Sequence, residues 1–319
     1  MKVGFIGCGE HATTSIYPAL NPAGLELVAT CARHQDRAEA AANKFGAEHA
    51  FNDARKMIET AHIEAVLISV HPGSYAPLIE LCLEAKLPVF AEKPGAASSS
   101  EAAELAAKSK KAKAPVMVGY MKRFALAYRE AKRIVDSPKF GKPSLGSFTF
   151  AMGPWGEGKK KGLRPYLVDN PVHHLDLARF FLGELSELNA HISYSKGTGY
   201  GIAVNAKASS GAVATFQLVT TASWFQRNES MEIFGAGHSV YVDNVDTCVY
   251  RPPSRPEQVW RPNYTVPLQM NFTGSTMGFV PELEHFRKVV KEKVKCESDI
   301  ESAGLTLALA EKLIELTGA

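Results

Sequence analysis

The chain has 319 residues, of which 45% are hydrophobic and 22% charged, and its formal net charge is +3 at pH 7. That length predicts two domains at the usual size of about 150 residues each, with enough core to dispense with disulfides and structural metals. The charge is too weak to argue for nucleic acid, and no stretch nears the roughly 18 apolar residues that cross a membrane. The five cysteines, Cys8, Cys31, Cys82, Cys248 and Cys296, are scattered, with no CxxC pair and no zinc spacing to histidine. Reduced thiols in a cytoplasmic protein are expected. The opening Met-Lys-Val-Gly-Phe-Ile-Gly reads as a strand and not as a signal peptide. The Lys159-Lys160-Lys161 run reads as a solvated loop.

The first 120 residues alternate between two periods. Strands are predicted at Lys2–Ile6, Leu25–Cys31, Ala65–Val70, Pro88–Ala91 and Val116–Gly119. Helices are predicted at His11–Leu20, Gln35–Phe45, Tyr75–Ala85 and Ser98–Lys113, the second stopped by Gly46 and the last capped by Ser99 or Ser100. Strands alternating with helices imply right-handed crossovers and a parallel, doubly wound sheet. A helix over Ala127–Val135 follows. Strands are then predicted at Ser147–Met152, Glu187–Ser193, Ala203–Ser209, Val213–Leu218, Met231–Phe234, Val240–Val242 and Cys248–Tyr250, broken by one helix at Pro171–Leu182. Strand after strand, with Ser210-Gly211 as a hairpin turn, points to a mostly antiparallel sheet. Pro252–Pro267 reads as an irregular loop or edge, and helices at Pro281–Lys295 and Glu301–Thr317 close the chain. The expected division is 1–120 for the first domain and 121–319 for the second.

Gly7-Cys8-Gly9-Glu10-His11-Ala12 matches G-x-G-x-x-A directly after a strand and at the start of a helix. Gly7 permits a tight turn, Gly9 lets backbone N–H groups approach a pyrophosphate, and Ala12 lets the helix pack close to the strand. The helix start favours the anion. A merely tight strand-to-helix turn is the alternative. The second strand ends Thr30-Cys31-Ala32-Arg33-His34, with no carboxylate to hold a ribose 2′-hydroxyl. A guanidinium at Arg33 would grip a 2′-phosphate, so NADP is expected in preference to NAD, unless Arg33 is a solvated surface charge.

Lys93, in Phe90-Ala91-Glu92-Lys93-Pro94, ends a central strand, where ligands bind in open parallel sheets. Its ammonium can stabilise an alkoxide developing during hydride removal. In Asp169-Asn170-Pro171-Val172-His173-His174-Leu175-Asp176, Asn170 reads as a cap and Pro171 as the first helical residue. Asp169 then lies just outside the helix and His173 in its first turn, spaced so that both can face one pocket. The positive helix end disfavours an imidazolium, which leaves His173 ready to accept a proton. His174 reads more simply as a core or capping residue, with substrate contact as the alternative. Adjacent histidines on a helix point different ways, so no shared metal is expected.

These motifs in this order resemble the Gfo/Idh/MocA oxidoreductases, which include glucose-fructose oxidoreductase and inositol dehydrogenase. Val118-Gly119-Tyr120-Met121-Lys122-Arg123-Phe124 is similar to that family's domain junction. The resemblance implies a Rossmann domain followed by an α/β domain with a large open sheet used for oligomer contacts, as a dimer or tetramer. It implies a catalytic lysine–aspartate–histidine set at Lys93, Asp169 and His173. It places cofactor contacts at Gly7, Cys8, Gly9, Glu10, His11, Ala32, Arg33, Ser69, Val70, His71, Glu92, Lys93 and Arg123. A sugar-like or polyol substrate is implied, with Lys93, Trp155, Arg164, Tyr166, His173 and His174 as candidate contacts. Pro171 replaces a glycine common in the family, and Gly162-Leu163-Arg164-Pro165-Tyr166 replaces a glycine-rich run. Redox-neutral enzymes that retain NAD, and nucleotide-binding sensors, are the other functions found on this architecture.

Overall fold

The computed structural model describes residues 1–153, 163–195, 199–223, 228–262 and 273–318. These form two compact units, one made of Met1–Met121 with Gly278–Leu305, the other of Lys122–Met277 with Thr306–Ala319. The first unit therefore recruits a late segment that chain order alone did not assign to it.

The first unit holds a six-stranded parallel sheet of β1 (Lys2–Ile6), β2 (Glu26–Cys31), β3 (His49–Phe51), β4 (Ala65–Ile68), β5 (Val89–Glu92) and β6 (Val116–Gly119). The spatial order is β3-β2-β1-β4-β5-β6, so the winding reverses between β1 and β4. β4, β5 and β6 are buried at every position, as strands covered on both faces must be. Local chemistry sets the helix ends. Asp53 caps Ala54–Thr60 by accepting from the Arg55 and Lys56 N–H groups at 2.8 and 3.1 Å. Ser98 caps Ser99–Ala112, one residue earlier than expected, and Glu101 reaches back to the Ala97 N–H at 2.6 Å. The Phe279–Lys291 helix packs Phe286 on Phe90, ring centroids 5.8 Å apart. The Ser298 carbonyl accepts from the Val118 N–H at 2.7 Å, which ties the late segment to the edge of the sheet.

The second unit holds an eight-stranded sheet of β7 (Leu145–Ala151), β8 (Leu185–Tyr194), β9 (Tyr200–Ala208), β10 (Val213–Val219), β11 (Asn228–Gly235), β12 (His238–Asp243), β13 (Thr247–Arg251) and β14 (Gln258–Trp260). The order is β14-β13-β12-β11-β7-β10-β9-β8, antiparallel throughout except for the β7–β10 pair. Alternation buries one face. Phe148, Phe216, Leu218, Val204, Met231, Ile233 and Val240 pack there with the Leu126–Val135 and Val172–Leu182 helices in one core. β14 occupies part of the Pro-rich stretch.

Candidate functional site

In open parallel sheets ligands bind beyond the carboxyl ends of the strands, at the point where the strand order reverses. The first unit has a cavity of about 660 Å³ there, lined by Gly7, Cys8 and Gly9 after β1, by Ala32, Arg33, His34 and Arg37 after β2, and by Ser69, Val70 and His71 after β4. Asn52, Ala54, Ser74 and Leu78 complete the wall, and none of the lining residues is a carboxylate. Sequence reasoning missed His34, Arg37, Asn52 and Ser74. Arg37 was findable, four residues beyond Arg33 in the helix that follows; Asn52 was not, because it follows a strand of only three residues.

The two loop glycines are not equivalent. Gly7 has φ of +113°, and a Cβ there would stand 2.0 Å from the Ser69 carbonyl oxygen, so the fold itself requires glycine. At Gly9 a Cβ would meet nothing within 4 Å among the described residues, so packing there does not explain this glycine. The helix after the loop begins with a π-helical turn at Ala12–Ile16, and the Thr13 hydroxyl bonds back to the Gly9 carbonyl at 3.1 Å. Cys8 Sγ lies 3.4 Å from the Tyr17 hydroxyl, which itself donates to the Gly7 carbonyl at 3.3 Å. Burial pushes the Cys8 thiol up, and burial with the nearby Cys8 pushes Cys31 up to about 12. Both thiols line the cavity and are poor nucleophiles.

Glu92 links this loop to the strand-end lysine. It is 4% exposed, its Oε2 accepts from the Lys93 N–H at 3.2 Å, and the same oxygen lies 3.5 Å from His11 Nε2. Lys93 is half-buried, its bond to Pro94 is cis, and Glu10 and His11 are exposed.

In the second unit Asp169 ends a helix of its own, Leu163–Asp169, and His173 is the second residue of the Val172–Leu182 helix. Pro171, not Asn170, occupies the cap position. Asp169 and His173 are half-buried. His174 is fully buried, its ring 5.2 Å from that of Phe150 and its Nε2 3.5 Å from Glu229 Oε2. Burial, and then the Lys122 charge, hold its imidazole well below the usual range. Lys122 is ion-paired to Glu229. Tyr166 is fully buried with its ring facing Tyr200, and Arg164 is exposed, 3.7 Å from Glu311. Arg123 is buried in a bidentate pair with Asp176, both contacts 2.6 Å, and Thr306 adds a third bond to Asp176 at 3.2 Å. Trp155 lies outside the described residues.

Residues 1–120 match a family described as an oxidoreductase family with an NAD-binding Rossmann fold, and residues 128–241 match the Gfo/Idh/MocA C-terminal domain. The chain belongs to the Gfo/Idh/MocA oxidoreductase family. D-apiose dehydrogenase from Rhizobium rhizogenes is 28% identical to it over 197 residues, 60% of this chain and 56% of that protein. Myo-inositol 2-dehydrogenase from Thermotoga maritima is 26% identical over 256 residues, 77% of this chain and 76% of that protein. The chain thus spans about half the length of the apiose relative and three quarters of the inositol one. A dehydrogenase structure from Chromobacterium violaceum shares the fold, with a TM-score of 0.90 at 20% identity, covering 100% of this chain and 95% of that one. Among the described residues no helix is long and apolar enough to cross a membrane, and no group of three or more His, Cys, Asp or Glu side chains is arranged to hold a metal.

Proposed function

We propose that the first unit binds a nicotinamide dinucleotide, NADP in preference to NAD, and that the protein oxidises a carbinol of a sugar- or polyol-like substrate reversibly. The observation that carries this is Gly9, a glycine on the cavity wall that the fold does not need. The family match and the sugar and polyol names of the relatives support the substrate class. For the 2′-phosphate, support comes from Arg33, His34 and Arg37 together on a wall with no carboxylate to repel it.

When bound, the nicotinamide supplies the hydride acceptor or donor. The chain supplies position and field. His173 accepts the substrate hydroxyl proton in oxidation and returns it in reduction. Lys93 hydrogen-bonds the reacting substrate oxygen and stabilises negative charge on it. Asp169 orients the substrate or the His173 ring. Glu92 fixes the backbone at Lys93 through the Lys93 N–H. The five free thiols support a reducing, cytoplasmic setting. Self-association through the second sheet is part of this proposal. Its open face carries Val213 and Phe234, 43% and 37% exposed, on either side of Leu145 across three paired strands.

A panel of sugars and polyols, screened with both nucleotides by absorbance of the reduced cofactor, tests the activity. Net reduction is expected. A substrate consumed with no net cofactor change would refute the dehydrogenase assignment in favour of redox-neutral chemistry. With a substrate in hand, Lys93→Ala and His173→Ala should each lower kcat/KM by about 10²–10⁴; retention within a few-fold would refute their roles.

A further inference from the structure

Glu282 lies in the first turn of the Phe279–Lys291 helix, in the first unit. It is 0% exposed, and neither carboxyl oxygen has a hydrogen-bond partner among the described residues. An ionised carboxylate in such a place is very costly. Phe286, one turn on from Glu282, packs on Phe90, two residues before Glu92 on β5, so this helix face meets the strand that ends in a second buried carboxyl, Glu92. Glu92 has polar neighbours that Glu282 lacks among the described residues. It accepts from the Lys93 N–H, and it faces His11, which is half exposed to solvent. Its other oxygen, Oε1, has no hydrogen-bond partner among the described residues. Two buried carboxyls that feel each other's charge in a dry interior do not both ionise readily. The surrounding groups do not change that assignment. His11 meets the helix at Phe279, ring centroids 6.0 Å apart. Tyr75, whose hydroxyl is pushed up by burial and by Glu92, offers no cation. Tyr17, on a helix packed against this one, turns its hydroxyl to Cys8 and Gly7. Arg287, on the same helix, lies against Gly24.

We propose that Glu282 is the proton-bearing member of a buried carboxyl pair and that, acting through Glu92, it sets the pH range over which the first unit binds its dinucleotide. This rests on the dinucleotide assignment above. Loss of the Glu282 proton would put a second negative charge behind the loop that receives the pyrophosphate and would push Glu92 from its place between His11 and Lys93. Glu282 is thus a positioning residue: it touches neither substrate nor cofactor. Burial, and then the Glu92 charge, hold its carboxyl well above the usual range.

A carboxyl raised in the folded state favours folding fully below its unfolded value, and that contribution is lost as pH rises toward the folded value. Urea unfolding of the full chain at a series of pH values therefore separates wild type from Glu282→Gln, which cannot ionise. Above an unfolded value of about 4.3, the wild-type folding constant should fall relative to Glu282→Gln by up to tenfold per pH unit. Glu282→Met, also unable to ionise, gives the same comparison if the glutamine variant folds poorly. NADPH titrations on the same samples should show wild-type affinity falling toward alkaline pH and the variant plateau extending further. Parallel unfolding profiles would overturn the protonation assignment. Diverging unfolding profiles with parallel NADPH profiles would overturn the link to cofactor binding. No NADPH or NADH binding by wild type at any pH would overturn the dinucleotide assignment itself, and this proposal with it.

Discussion

Replacing Gly7 and Gly9 by alanine, one at a time, should give opposite results. At Gly7 the backbone has φ of +113°, which costs an alanine about 1–3 kcal/mol in strain. The new methyl would also stand 2.0 Å from the Ser69 carbonyl oxygen, a backbone atom held by β4. Relieving that overlap means prising β1 from β4 at their tips, at about 1–3 kcal/mol on the scale of core overpacking. Together these take about 2–6 kcal/mol from a total stability of about 5–15 kcal/mol. At Gly9 the methyl meets nothing within 4 Å. Gly9→Ala should then be neutral in folding, or stabilising by up to about 1 kcal/mol through the unfolded chain. It should nevertheless weaken NADPH binding by roughly tenfold or more, since displacing one charge-assisted hydrogen bond costs about 1.5–3 kcal/mol. Urea unfolding and cofactor-fluorescence titration of both variants measure the two effects. Gly7→Ala within about 0.5 kcal/mol of wild type would refute the steric argument. Unchanged NADPH affinity in a well-folded Gly9→Ala would refute the ligand argument.

Other outcomes follow from single contacts. Arg33→Ser should weaken NADPH by about tenfold while leaving NADH within a few-fold, because an exposed guanidinium contributes less than a buried one; equal losses for both nucleotides would count against 2′-phosphate recognition. Asp176→Ala should destabilise the chain by about 3–5 kcal/mol by stranding the buried Arg123 guanidinium, read by urea unfolding, and a loss under 1 kcal/mol would contradict that pairing. His174 binds its proton less readily folded than unfolded, so stability should fall as pH drops below about 6.5, the ordinary histidine value. His174→Gln should flatten that acid-side slope; an unchanged slope would show that other groups carry it.

Much of the first sheet was legible because its strands are short, mostly apolar and bounded by glycine or charge. Lys2–Ile6, Gln35–Phe45 and Val116–Gly119 fall where the periodicity put them. β3 escaped because three residues carry too little pattern, and with it went Asn52 and the Ala54–Thr60 helix. The Leu163–Asp169 helix escaped because Pro165 reads as a breaker, although a first turn tolerates proline. Its buried Leu163, Tyr166 and Leu167 hold the i, i+3, i+4 spacing that could have found it. The parallel β7–β10 pair is non-local, and its seven paired residues are of the same kinds as those of its antiparallel neighbours, so no local signal marks it. The glycine loop, Lys93 and the histidine cluster were visible as motifs. Glu282 was not, because a glutamate in a helix's first turn looks like ordinary dipole complementation until its complete burial is seen.

Every role proposed for these residues depends on a dinucleotide lying against the carboxyl ends of β1, β2 and β4. Amide hydrogen exchange of the full chain, with and without saturating NADPH, tests it most directly. Protection should concentrate at residues 7–11, 33–37 and 69–71. Saturating NADPH that leaves all three segments as exchangeable as before would contradict it.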